Sequence, residues 1–318
     1  SNGDPVIEKT GWRKAKKFSA NRQNPLKILP LRHADDLGLT EATNTAILSL
    51  INSGEIDGAS LLVNGTALQS AINEWKNNIN FPLCLHLCLT EGPAITSRSQ
   101  IRTLVNEKGL LKKTFGQLLL SSFLPKQCLE RKLLESQLRC EIINQINFYK
   151  KLTGLQSIAI DGHQHVHLIP IILDILIEIS EEYKITWMRT TTEPFPTGIP
   201  FRYWLQAITN GGLLKWSVLQ ILSCLAKPKI RKALINTNAG FAGALFTGRM
   251  VQPIIYFSWK ELQTLPVTIT NTPPILLTHP AASLTHEEKV NNLKLFHISN
   301  NFFNSVWRQR EWEALKRD

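Results

Sequence analysis

The sequence predicts a single-domain α/β fold built on a parallel sheet or a (β/α) barrel, complete or distorted and short of strands. Three observations carry that prediction. Short apolar runs alternate with segments of helical periodicity along most of the chain, the order that builds a parallel sheet or barrel. Four of those runs end in Asp or His, and in parallel α/β folds the carboxyl ends of strands converge on one site. The 318 residues are 43% hydrophobic, enough for a large core, and no stretch is rich enough in Pro, Gly or charge to force a division. The expected organisation is a flexible basic arm over residues 1–27 followed by a barrel domain over 28–318.

The elements follow in order. Ile28-Leu29-Pro30-Leu31 reads as a strand running into Asp35-Asp36, whose side chains would diverge in extended backbone. Thr40 stands as N-cap before a helical pattern over 41–53, and Gly54 closes it. A strand over 59–63, a helix over 68–75 and a strand Leu83-Cys84-Leu85 delivering His86 come next. Beyond Pro93 only a turn at 106–109 is readable before a strong helix over 126–152, with Gly154 just past its end. Residues 155–160 form a strand that empties into Asp161-Gly162-His163-Gln164-His165-Val166-His167. Continued extension would put Asp161, His163, His165 and His167 on one face, with His163 and His167 roughly 13 Å apart at about 3.3 Å per residue. Such a segment supplies one or two ligands to a single ion, and the others must come from elsewhere. Pro170 suits the first turn of a helix over 171–183, because its missing N–H would be unpaired there anyway. A strand over 185–188 ends at Arg189, 193–200 and 238–250 read as loops, Ile275-Leu276-Leu277 delivers Thr278-His279-Pro280, and a polar helix closes the chain around 306–315.

The net charge of +11 sits largely in the first 32 residues, among Lys9, Arg13, Lys14, Lys16, Lys17, Arg22, Lys27 and Arg32. A solvated arm accounts for it, and with no interleaved aromatic pattern or known motif, nucleic acid is not an expected partner. Five cysteines without CxxC spacing argue for a reducing compartment and against a zinc finger. No charged segment followed by an apolar one opens the chain, and no apolar run reaches the roughly 18 to 20 residues of a spanning helix. A cytoplasmic location is therefore expected. The apolar helix over 213–226, followed at once by Lys227, Lys229, Arg231 and Lys232, has two readings. It is buried against the barrel, or it is interfacial, with Trp216 at headgroup level, a peripheral membrane contact through 213–232 and a lipid-linked substrate.

One carboxylate and two imidazoles suit a divalent ion and leave positions open for water and substrate. Water on such an ion has its pKa lowered to about 7 in the best case. With Asp35 and Asp36 divergent, one could bind the ion while the other acts as general base, and a histidine opposite could protonate a leaving group. That is a hydrolase kit. Simpler origins exist for each part: an Asp pair ahead of a helix complements the helix dipole, Cys84 and Cys88 beside His86 are small core residues, and His286 and His297 sit in polar helical surroundings.

Together, Ala34-Asp35-Asp36-Leu37-Gly38-Leu39, Asn44, Leu61-Leu62-Val63-Asn64, His86-Leu87-Cys88-Leu89-Thr90-Glu91-Gly92-Pro93 and Asp161-Gly162-His163-Gln164-His165-Val166-His167 resemble the YdjC-like (ChbG-like) carbohydrate deacetylases. The resemblance runs from about residue 28 to His279. It implies a TIM-like barrel and metal-dependent removal of an N-acetyl group from an amino sugar. On that pattern Asp36, His86 and His163 hold one divalent metal ion, Mg2+ or Zn2+, Asp35 is the base and His279 the acid. The chain departs from the pattern at His33, where the family has Asn, at Leu37, where it has an aromatic, and at Ala281, where it has Gly. Two other classes fit parts of the chain: another metalloenzyme such as a non-haem iron oxygenase, for which Asp35 would be unnecessary, and a non-catalytic glycan-binding barrel, for which the whole acidic and imidazole set would be.

Overall fold

The computed structural model describes residues 29–77, 81–265 and 272–316. The basic arm expected over 1–27 lies outside them. Strands β1 (Leu31–Leu37), β2 (Gly58–Leu61), β3 (Leu83–Leu87), β4 (Ile158–Gly162), β5 (Ile185–Met188), β6 (Phe241–Ala242) and β7 (Ile275–Thr278) form one sheet in the order β5-β4-β3-β2-β1-β7-β6. Every pairing in it is parallel. The stretch from Asn236 to Ala242 pairs first with Trp187 on β5 and then with Thr272 and β7, so single bridges draw the two edges of the sheet together. The result is a curled seven-stranded α/β half-barrel; the described residues do not build the eight regular strands of a full TIM barrel. Central strands such as β2 and β3 are buried on both faces, as covered parallel sheets require.

The helices up to β5 are α1 (Glu41–Asn52), α2 (Leu68–Asn77), α3 (Phe115–Ser121), α4 (Leu129–Thr153) and α5 (Pro170–Glu178). Thr40 caps α1 by accepting from the Thr43 N–H, and Gly154 ends α4 in the left-handed conformation. Both agree with the sequence signals. After β5 come α6 (Phe201–Thr209), α7 (Gly212–Lys232), α8 (Ile254–Gln263), α9 (His286–Leu295), α10 (Asn300–Phe303) and α11 (Trp307–Leu315). α3, α6, α8 and β6 had no clear sequence signal. β6 occupies two residues inside a Gly-rich stretch that reads as loop.

α7 departs from the fully buried form and, in the hold on Trp216, from the interfacial form as expected. It runs on through Pro228 to Lys232, and only one face is buried, through Leu219, Leu222, Ser223, Ala226 and Ile230. Trp216 does not stand free at a surface: its indole N–H donates to the Glu193 carbonyl at 2.8 Å and its ring packs 4.2 Å from that of Phe195. No helix among the described residues is long and apolar enough to cross a membrane.

Candidate metal centre at the strand ends

The centre begins with an irregularity in β1. Its register against β2 slips between Ala34 and Leu37, and Asp36 sits at φ 71°, a left-handed conformation that costs a non-Gly residue on the order of 1–3 kcal/mol. In a regular strand Asp35 and Asp36 would face opposite ways. The bulge instead turns both carboxylates into one cluster, which corrects the expected divergence. His86 Nε2, from the end of β3, lies 3.4 Å from Asp36 Oδ1 and 3.9 Å from Asp35 Oδ2. Asn44 holds the bend by accepting from the Gly38 N–H at 2.8 Å.

The histidine segment is also bent. β4 ends at Gly162, and His163–Leu168 is a 3-10 turn with Gln164 at φ 55° and His165 at φ 59°. A Cβ on residue 162 would lie 2.8 Å from His167 Nδ1 and 2.9 Å from its backbone nitrogen, so only glycine lets the chain fold back this tightly. The three histidines therefore do not share a strand face. His163 Nδ1 points at Asp36 Oδ1 from 3.6 Å. His165 packs edge-on against Phe241, and His167 Nε2 donates to the Arg189 carbonyl at 2.8 Å. Burial pushes His167 down to about 4, so it is neutral and structural.

Asp36, His86 and His163 thus present ligand atoms within 4.8 Å of one another. Asp36 Oδ1, which faces both imidazoles, is buried and has no hydrogen-bond partner. Each imidazole is braced from behind by a carboxylate: His86 Nδ1 meets Asp161 Oδ1 at 2.8 Å and His163 Nε2 meets Glu91 Oε1 at 2.7 Å. Those acceptors fix the N–H on the far nitrogen of each ring and turn the near nitrogen toward Asp36, the arrangement of metal-bound histidine. Glu91 is itself held by the backbone N–H groups of Ile298 and Ser299, each at 2.9 Å.

Two arginines complete the shell. Arg189 donates to both oxygens of Asp35, at 2.8 and 2.9 Å, and also pairs with Asp161. Arg308 of α11 donates to Asp36 Oδ2 at 3.2 Å. Four carboxylates in direct contact thus face two guanidinium groups, a deficit of two positive charges. Burial pulls His86 and His163 down, but the surrounding carboxylates and hydrogen bonds outweigh it and raise both to about 10. The imidazoles take up protons because the cluster wants two positive charges. A divalent cation between them would satisfy the same demand and release those protons. The donor set therefore fits such an ion.

Two other groupings bring ligand atoms together, His33 with Cys84 and Asp161, and Asp35 with His86 and Asp161. Their atoms are committed elsewhere. His33 Nε2 bonds Ser60 Oγ at 2.6 Å, Ser60 in turn donates to Asp161, and burial pushes the Cys84 thiol well up, away from the thiolate a metal needs.

His279, at the end of β7, stands across from Asp35 with Nε2 3.8 Å from its Oδ2. Its ring meets Phe302 edge-on, its Nδ1 is buried without a partner, and burial pushes it down to about 4. All five residues singled out from the sequence, Asp35, Asp36, His86, His163 and His279, are gathered at these strand ends. Sequence reasoning did not assign Glu91, Asp161, Arg189 and Arg308. Glu91 and Asp161 stood inside the quoted motifs, and the need of each ligand imidazole for a carboxylate behind it could have singled them out. Arg308, in a polar terminal helix, gave no signal.

A family model described as YdjC-like protein matches residues 32–318. The chain is similar to the carbohydrate deacetylase of Xenopus laevis, 27% identical over 264 residues, covering 80% of this chain and 81% of that protein. It is 30% identical to the carbohydrate deacetylase of Danio rerio over 162 residues, 50% of this chain and 49% of that one, so this match spans about half of the relative's length. The carbohydrate deacetylase of Oceanobacillus iheyensis is 28% identical over 211 residues, 66% of this chain and 84% of that one. A solved structure from Enterococcus faecalis V583, provisionally named a cellobiose-phosphate cleavage protein, superposes with a TM-score of 0.61 over 91% of both chains at 16% identity. That likeness shows the fold alone.

Proposed function

The chain belongs to the YdjC-like family, and we propose that it is a metal-dependent hydrolase that removes the N-acetyl group from an amino sugar. One observation carries the reading: the buried Asp36 Oδ1 without a hydrogen-bond partner, facing two imidazole nitrogens that carboxylates brace from behind. Asp36, His86 and His163 would hold one divalent ion. Two nitrogens and an oxygen suit zinc, and a carboxylate with open positions for water also accepts magnesium. When bound, the ion supplies Lewis acidity, polarising an amide carbonyl and bringing the pKa of water toward about 7.

The chain's own residues move the protons. Arg189 beside Asp35 outweighs its burial and holds the carboxyl well below the usual range, so it is ionised at neutral pH and fixed in orientation. Its Oδ2 receives the proton that the attacking water gives up. A carboxyl so strongly held in the ionised form does not retain that proton, and His279 Nε2, 3.8 Å away, takes it and delivers it to the departing amine nitrogen. Arg308 and Glu311 position His279: Arg308 Nε donates to its carbonyl, and Glu311 accepts from its N–H at 2.6 Å.

Metal content of the purified protein, measured together with amine release from a panel of N-acetylated sugars, tests the reading. The expected result is one equivalent of divalent metal and release that chelator abolishes and metal restores. Asp36→Ala should lose the metal. Asp35→Asn should keep it and lose about 10²–10⁴-fold in turnover, the range for a general base. Stoichiometric metal and normal release in Asp36→Ala would sink the assignment.

A further inference from the structure

From Pro194 to Lys260 the chain contains no Asp or Glu. Within that acid-free stretch α6 and α7 turn apolar side chains outward. On α6, Phe201, Leu205 and Ile208 lie at helical spacing along one face and are all exposed, Phe201 by 75%. Beyond the Gly211 turn, Leu214, Ile221 and Leu225 continue along the solvent face of α7, and Leu214 is 72% exposed. The opposite face of α7 is buried, and its aromatic shoulder is tied to the body by the Trp216 bond to the Glu193 carbonyl. The outward face is therefore held in place and has no covering partner among the described residues. Apolar surface arranged in stripes, unlike scattered single residues, marks a contact site.

Cations stand at its C-terminal end. Arg231 and Lys232 are exposed at the C-terminus of α7 with Lys227 beside them, while Lys229 is paired with Asp174 at 2.6 Å. A second copy would bring the same net-positive surface against itself, and the arm over 1–27, with Lys9, Arg13, Lys14, Lys16, Lys17, Arg22 and Lys27, carries the same sign. Apolar stripes that end in cations complement a surface that is apolar within and anionic outside.

We infer that the α6–α7 face is a membrane-docking surface that rests on an anionic lipid bilayer, with Phe201, Leu205, Ile208, Leu214, Ile221 and Leu225 entering the headgroup–acyl boundary. Lys227, Arg231 and Lys232 lie against the lipid phosphates. The side chains that enter the lipid are those on the solvent faces; Trp216, Leu219 and Leu222 keep the helix attached to the protein.

Co-sedimentation of the full chain with vesicles tests this, using phosphatidylcholine alone and phosphatidylcholine mixed with phosphatidylglycerol, each at low and high salt. The parent is expected to bind the mixed vesicles and to be partly released by salt. Leu214→Ser with Ile221→Ser and Leu225→Ser should lower partitioning about tenfold or more with an unchanged circular-dichroism melt. Lys227→Gln with Arg231→Gln and Lys232→Gln should remove the preference for the anionic vesicles. The inference is overturned if the folded parent binds neither vesicle, or if the triple serine variant binds like the parent, since the untouched basic arm is then responsible. It is equally overturned if sedimentation shows a dimer without lipid that the serine variant abolishes.

Discussion

Two regions of this molecule invert the ordinary rule of burial, in opposite senses. At the strand ends, Asp35, Asp36, Glu91, Asp161, Arg189 and Arg308 are charged side chains taken out of water. On α6 and α7, Phe201, Leu214, Ile221 and Leu225 are apolar side chains left in it. Burying the first set is costly and tolerable only because each charged group has a partner, although Asp36 Oδ1 and Arg189 Nε are left without a hydrogen bond. Exposing the second set costs much less, so it can persist with no partner among the described residues. The cluster announces its ligand by an unsatisfied carboxylate oxygen that faces two imidazoles. The helix face announces its ligand by continuity.

The largest effect is expected where the paired charges are broken. Arg189→Met keeps most of the volume but leaves Asp35 and Asp161 without their guanidinium, and removing one partner of a buried pair costs about 3–5 kcal/mol. Urea unfolding of the variant should show that loss. A change below about 1 kcal/mol would mean that the two carboxylates find protons or water instead, and that the cluster is not held by ion pairing.

Much of the strand-end region was legible in the sequence, because its signal is chemical. Apolar runs delivering Asp35-Asp36, His86, His163 and His279 point to one shared site, since the ends of parallel strands converge. The backbone that aims them was not legible. Neither the bulge at Asp36 nor the turn after Gly162 follows from periodicity, since both violate the local pattern and persist only because the surrounding contacts over-determine them. The partners Arg189 and Arg308, 154 and 272 residues from the aspartates they hold, are fixed by the tertiary fold alone. For α7, composition was legible and orientation was not. An apolar helix with a basic end reads the same whether its second apolar face meets protein or lipid, and only packing distinguishes Leu219 from Leu225.

A smaller effect is expected one shell out. Glu91→Gln retains the shape behind His163 and removes the carboxylate that fixes its tautomer. Partners of this kind typically change metal affinity 10–100-fold. Competition with a chelator of known affinity should show a loss of about that size, with the unfolding midpoint of the metal-free protein changing less than in Arg189→Met. Equal affinity in the two proteins would mean that His163 needs no brace, and would weaken the distinction between the orphaned oxygen and its satisfied neighbours.

The smallest effect, that of Leu225→Ser, is expected on the outer face of a helix whose inner face is core. Leu219 and Leu225 have the same side chain on the same helix, 2% and 60% exposed. Leu219→Ala removes buried methyl groups and should cost about 2–5 kcal/mol, the range for core truncation. Leu225→Ser returns a polar group to water that already reaches the site, and its effect should stay within about 0.5 kcal/mol. Chemical unfolding of both single variants in the absence of lipid checks the pair. If Leu225→Ser destabilises the isolated chain by more than about 1 kcal/mol, its side chain is already covered, and a face that is covered in solution is not free to meet a bilayer. If it is neutral alone, the side chain is uncovered in solution, as docking on a bilayer requires.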